Sequence, residues 1–108
     1  MKSRLHHVCI GVDDFDWYFK FFTKCLNMSV QREEGEAPNR NLWFDQGIQI
    51  FEIADAMDAG TSVHHVAIGV EDVQRALKIA LEHGCREVQG NPEWFSLPNG
   101  IKIELKPY

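Results

Sequence analysis

Residues 5–14 read "LHHVCIGVDD" and residues 63–72 read "VHHVAIGVED". A chain of 108 residues thus writes nearly the same phrase twice. Each copy opens on paired histidines, although the chain holds only five. One fixed offset aligns His6-His7-Val8 with His64-His65-Val66, and Ile10-Gly11-Val12 with Ile68-Gly69-Val70. The same offset aligns Asp14 with Asp72. Such a repeat marks two copies of one structural unit.

The pattern around each phrase repeats as well. Leu5 to Val12 is rich in β-branched and apolar residues and predicts a strand. Asp13 or Asp14 can cap a following helix, in which Phe15, Tyr18/Phe19, Phe22 and Leu26 recur at helical spacing. Three strand-like runs come next, at 29–33, 41–45 and 48–53, separated by Gly35 with Pro38 and by Gln46-Gly47. The second half has the same order. Residues 63–70 predict a strand, and Asp72 caps a helix with Val73, Ala76/Leu77 and Ala80 on one face. Gly84 stops that helix. Strand runs at 86–89, 94–97 and 101–106 follow, with "LPNG" as a turn between the last two. The reading is α+β: two tandem βαβββ modules, 4–54 and 62–108, joined by a linker at 55–61. Each module alone leaves one sheet face uncovered, so the two are expected to form one domain over 1–108, with an open, barrel-like sheet cavity between them.

Composition narrows the classes of function. Apolar residues make up 44%, enough for a core. No apolar run approaches the roughly 20 residues of a membrane span. Met1-Lys2-Ser3-Arg4 leads directly into a strand-like segment rather than a secretory h-region. Three cysteines, an odd count without CxxC spacing, suit reduced thiols in a cytoplasm better than a disulfide framework. A net charge of -5 offers no basic footprint for nucleic acid.

The candidate chemistry comes from strand alternation. In the first strand His6, Val8, Ile10 and Val12 share one face, fit to pack under the helix. His7, Cys9 and Gly11 share the other. In the second copy His65, Ala67 and Gly69 form the matching open face. Small residues beyond His7 and His65 leave space in front of each imidazole. The fourth strands carry a matching oddity. If Phe51 and Ile53 pack under the first helix, Glu52 points to the open face with Ile48 and Ile50. If Ile101, Ile103 and Leu105 pack under the second helix, Glu104 points the same way with Lys102. A lone strand histidine more often packs with one hydrogen bond, and a lone strand glutamate is usually solvated. All four recur with the repeat, which points instead to a metal site of His7, Glu52, His65 and Glu104. Two imidazoles and two carboxylates suit one divalent ion of the Zn, Ni, Co, Mn or Fe type. Glu104 or Glu52 could double as a general base. Cys9 reads as a small buried residue sooner than a nucleophile. One aromatic of each pair, Trp43/Phe44 and Trp94/Phe95, is expected in the pocket. Trp17 lies off the main helix stripe and suits a subunit interface.

The repeated plan, with "LHHVCIGV", "FEI", "VHHVAIGVED" and "LPNGIKIEL", resembles the vicinal oxygen chelate superfamily over almost the whole chain. That superfamily includes glyoxalase I, methylmalonyl-CoA epimerase, fosfomycin-resistance thiol transferases, extradiol dioxygenases and bleomycin-binding proteins. The resemblance implies that the ligand histidine of each module precedes the Val of an "HV.I.V" phrase, which selects His7 and His65 over His6 and His64. It maps the ligand carboxylates onto Glu52 and Glu104. A full four-ligand set is similar to glyoxalase I, whereas the epimerases place an amide where Glu52 stands. The implied function is a metal-dependent lyase or isomerase, glyoxalase I-like, moving a proton next to a carbonyl of a small-molecule substrate. An epimerase, or a metal-free protein that binds a small molecule, is the alternative. The resemblance also implies a homodimer. The chain is shorter than most glyoxalase I enzymes, and Arg32, Arg40 and Lys102 are the candidate contacts for an anionic substrate.

Overall fold

The computed structural model describes residues 1–54 and 63–108. The expected linker at 55–61 lies outside the described residues. The elements are β1 (Ser3–Val12), α1 (Phe15–Lys20), β2 (Val30–Glu34), β3 (Asn41–Phe44), β4 (Ile48–Glu52), β5 (Val63–Val70), α2 (Val73–Glu82), β6 (Arg86–Val88), β7 (Asn91–Ser96) and β8 (Lys102–Pro107). The protein is mixed α+β, with eight strands and few helices among the described residues, in the βαβββ order predicted for each half. Among the described residues no helix is long and apolar enough to cross a membrane.

The chain divides into two compact units, and the division falls inside β1. One unit comprises Val8–His64; the other comprises Met1–His7 with His65–Tyr108. In the Val8–His64 unit the strand order is β2-β3-β4-β1. Strands β4 and β1 run parallel, and β3 is antiparallel to both of its neighbours. Asp14 caps α1 by accepting from the Trp17 amide at 3.3 Å. The helix then loosens into a π-helical turn at Phe21–Cys25 instead of continuing as α to Leu26. Thr23 contributes to this, because its hydroxyl donates to the Phe19 carbonyl at 2.7 Å and competes with the backbone ladder. The core here is Val12, Phe15, Leu42, Phe44 and Ile50, with Tyr18, Phe19 and Phe22 packed against it. Trp17 stays off this core, 54% exposed, its ring stacked on Phe21.

In the other unit the order is β5-β8-β7-β6, with β5 and β8 parallel. The start of β1 joins it, and the Glu71 amide donates to the Lys2 carbonyl at 3.3 Å. Asp72 caps α2 by accepting from the Arg75 amide at 3.0 Å. Gly84, at φ 101, ends α2 as the sequence predicts, since the left-handed region favours glycine. The core is Val70, Ile103 and Leu105, with Val66, Ile68, Ala76, Leu77 and Phe95 packed against it. Alternation therefore works as expected in β8: Ile103 and Leu105 face the helix, and Glu104, in register with Ala67, faces away.

Strand β4 departs from the expectation. Ile48 and Ile50 belong to the helix-facing core, not Phe51 and Ile53. Glu52 stands in register with Val12, a core residue, and so shares that face. There Arg40 takes both of its carboxylate oxygens, Nε at 2.8 Å and Nη2 at 2.7 Å, and the Arg40 amide adds a third bond at 3.2 Å. Arg40 also reaches Asp16 at 3.0 Å and lies over the Phe15 ring at 4.3 Å. Glu52 thus ties β4 to the start of α1. Arg40, expected as a substrate contact, is committed to this bridge. Arg32 pairs with Glu34 at 3.4 Å and covers Trp43.

Two predictions follow from this packing. Leu42 is 1% exposed, so Leu42→Ala should cost about 2–5 kcal/mol in urea unfolding. The hydrogen bonds from Arg40 hold the Glu52 carboxyl below its ordinary value of 4.5. The unfolded chain then binds this proton at higher pH than the folded one, so the pair's contribution is full above about pH 4.5 and is lost as pH falls through the folded value. Glu52→Gln should lower the urea midpoint at neutral pH, and the gap to the parent should narrow on the acid side. Equal midpoints at neutral pH would show that the bridge is not stabilising.

Candidate metal centre

Three of the expected ligands meet within the unit formed by Met1–His7 and His65–Tyr108. His7 comes from the first half of β1, His65 from β5 and Glu104 from β8. His7 and His65 are each 5% exposed. Their Nε2 atoms stand 3.3 Å apart. Glu104 Oε1 is 3.6 Å from His7 Nε2 and 3.4 Å from His65 Nε2. Trp94, in register with Glu104 across β7 and β8, places its ring 4.5 Å from the His65 ring. The same tryptophan lines a groove of about 550 Å³ with Leu77, Val88, Asn91 and Pro92. Its strand neighbour Phe95 goes to the core instead, as alternation requires.

The electrostatics suit a cation. Burial disfavours the imidazolium of His7 and lowers its pKa to about 4, despite the opposing pull of Glu104. His7 is therefore a neutral donor at ordinary pH. Burial pushes the Glu104 carboxyl up, but the hydrogen bond from His65 and the charge of Lys106 outweigh it and hold the carboxyl low. Lys106 Nζ lies 3.6 Å from Glu104 Oε2. A cation beside this carboxylate is thus Lys106, two residues beyond Glu104 on β8, whereas Lys102, two residues before it, is exposed.

The donor set fits a divalent ion. Ligand atoms about 2.1 Å from a tetrahedral zinc stand about 3.4 Å from one another. The edges of the His7–His65–Glu104 triangle are 3.3, 3.6 and 3.4 Å. Two neutral imidazole nitrogens and one carboxylate oxygen also match the preferences of borderline first-row ions.

Glu52 does not join this group, because its strand parity places it under α1 with Arg40. Gln49 holds the corresponding register position. It pairs with Cys9 on β1 as Glu104 pairs with Ala67 on β5, and the repeat aligns Cys9 with Ala67. Gln49 is 6% exposed, and its Nε2 donates to Asn41 Oδ1 at 2.8 Å. Sequence reading passed over it in favour of the charged residue three positions on. The signal that could have found it is a polar residue between Ile48 and Ile50. Cys9 is buried, 1% exposed, in keeping with a small packing residue. His6 also departs from expectation. It is exposed rather than part of the apolar stripe, and its Nδ1 lies 2.8 Å from His7 Nδ1. His64 is exposed, with its ring against Phe51.

Comparison with known proteins agrees with this architecture. A probable chloroplastic lactoylglutathione lyase of Arabidopsis thaliana is 29% identical over 96% of this chain. The chain spans about a third, 35%, of that relative's length. A hypothetical protein from Bacillus halodurans superposes with a TM-score of 0.74 at 17% identity, covering 100% of this chain and 96% of the other. A methylmalonyl-CoA epimerase variant from Streptomyces coelicolor, in complex with 2-nitronate-propionyl-CoA, gives a TM-score of 0.72 at 20% identity and covers 94% of both chains. At such identities these two structures speak for the fold alone. The family model for the Glyoxalase/Bleomycin resistance protein/Dioxygenase superfamily matches residues 4–96. With the repeated βαβββ order and that match over most of its length, the chain belongs to the Glyoxalase/Bleomycin resistance protein/Dioxygenase superfamily.

Proposed function

We propose that this protein is a divalent-metal-dependent enzyme that moves a proton at the carbon next to a carbonyl, with an epimerase-type reaction on an acyl thioester as the leading case. The observation that carries the choice is the amide of Gln49 in the register position that Glu104 holds in the other unit. Glyoxalase I-type members carry a carboxylate at both positions, whereas epimerase-type members carry an amide at one. A glyoxalase I-type isomerisation of a thiol–methylglyoxal adduct is the second reading, favoured by the 29% identity to a probable lactoylglutathione lyase.

His7, His65 and Glu104 would hold the ion. A bound divalent ion supplies Lewis acidity, polarising a carbonyl and stabilising the negative charge that develops when the neighbouring carbon loses its proton. The chain's own residues do the rest. His7 presents a neutral nitrogen, as coordination requires, and His65 Nε2 stands beside it. Glu104 turns Oε1 to the imidazoles and Oε2 to Lys106, and its carboxylate would accept and return the proton, with Lys106 keeping it ionised between turnovers. Trp94 walls the His65 side and limits water there. The expected homodimer is part of the same proposal, and sedimentation at micromolar concentration tests it.

The test begins with metal analysis of protein purified without chelator, which should find one divalent ion per chain. Metal-loaded protein should then exchange the α-proton of a chiral 2-methyl acyl thioester for solvent deuterium, followed by NMR. Glu104→Gln should lower that exchange about 10²–10⁴-fold with the fold retained. Turnover of hemithioacetals without thioester exchange would overturn the epimerase reading in favour of the glyoxalase one. Absence of turnover on both, with every metal, would leave a non-catalytic binding protein.

A further inference from the structure

The contact between His6 and His7 has a consequence for metal binding that neither alternation nor the superfamily's ligand pattern contains. A neutral imidazole carries a single ring proton. For His7 to offer a lone pair from Nε2, its proton must sit on Nδ1. His7 Nδ1 is 2.8 Å from His6 Nδ1. Two lone pairs at that distance repel, so one of the two nitrogens holds a proton and donates it to the other. If His6 donates, His7 Nδ1 accepts and the His7 proton is left on Nε2, pointing at His65 and Glu104. That arrangement is closed to a cation. If His7 donates, His6 Nδ1 accepts and His7 Nε2 is open. His6 can adopt the accepting form at small cost. It is exposed, so its own proton on Nε2 can be given to water.

We propose that His6 is a positioning residue that selects the His7 tautomer, accepting the Nδ1 proton so that Nε2 faces the ion. The proposal rests on the reading of His7, His65 and Glu104 as metal ligands. Loss of such an outer partner of a ligating histidine costs about 10–100-fold in metal affinity. The second histidine of the first "HH" pair then has a partner in sequence as well as in space, and the pairing in "LHHV" acquires a chemical reason.

Cobalt(II) titration, followed by its visible ligand-field absorption, tests this without any assay of turnover. His6→Phe keeps a ring and removes the acceptor. Its cobalt affinity should fall about 10–100-fold while the thermal midpoint of the metal-free protein stays at the parent value. His6→Asn puts an amide oxygen near the lost Nδ1 and should recover most of the affinity, which a merely steric role for the ring does not predict. In parallel, ¹⁵N NMR of the unsubstituted cobalt-free, zinc-loaded protein should show His7 protonated at Nδ1 and His6 protonated at Nε2. Equal affinity in His6→Phe and the parent would overturn the proposal. So would His6→Asn no better than His6→Phe, or His7 protonated at Nε2 in the zinc-loaded protein. A parent chain that binds no cobalt removes the ligand reading itself and the proposal with it.

Discussion

The burial of one negative charge organises the candidate centre. Glu104 sits on a strand whose neighbours, Ile103 and Leu105, are core residues. Taking a carboxylate from water into such surroundings is costly unless cationic or hydrogen-bonding partners replace the solvent. The partners available are His65, Lys106 and His7. His7 cannot supply positive charge, because its own burial keeps it neutral. The group therefore holds one anion among two nearly water-excluded imidazoles, with a single lysine at its rim. On the proposed reading, a divalent ion would join Lys106 in compensating this carboxylate.

The two halves answer the same problem differently. In the unit of Val8–His64, the strand-borne carboxylate lies on the helix side and is neutralised by Arg40 with three hydrogen bonds. In the other unit, the carboxylate lies on the opposite face beside the imidazoles. Through Arg40, Glu52 is a bracket between β4 and α1, whereas Glu104 faces the two imidazoles. A repeat in sequence thus does not guarantee a repeat in role. The strand pairing is the same in both units, with Gln49 opposite Cys9 as Glu104 is opposite Ala67, so Glu52, three positions beyond Gln49, falls on the other face.

Much of this was legible in the sequence. The repeated phrase gave the tandem βαβββ order, because its strand, its Asp cap and its helix recur together. His7, His65 and Glu104 were legible because small or apolar neighbours made their polarity conspicuous. Glu52 misled for the same reason. Its charge drew the eye, yet Ile48 and Ile50 were equally good core candidates, and only the pairing of Val12 with Glu52 decides between the two faces. Gln49 was hidden because an uncharged amide does not stand out between isoleucines. The His6–His7 contact was out of reach of alternation, which assigns adjacent strand residues to opposite faces and says nothing about rings that fold back along the backbone.

Strand β2 is exposed at all five positions and, among the described residues, pairs only with β3, so it presents an outer row of backbone donors and acceptors. Such an edge is a template onto which another extended chain can add. Its sequence, Val30-Gln31-Arg32-Glu33-Glu34, is mostly polar and carries charges of both signs. A strand joining there would have to bury some of those charges without ready compensation. In the other unit, the outer strand β6 is only three residues long, which offers little length to pair with. The outer strand of each unit is thus guarded against added strands, β2 by charge and β6 by brevity, so resistance to strand addition is written into strand length and sequence as much as into net charge.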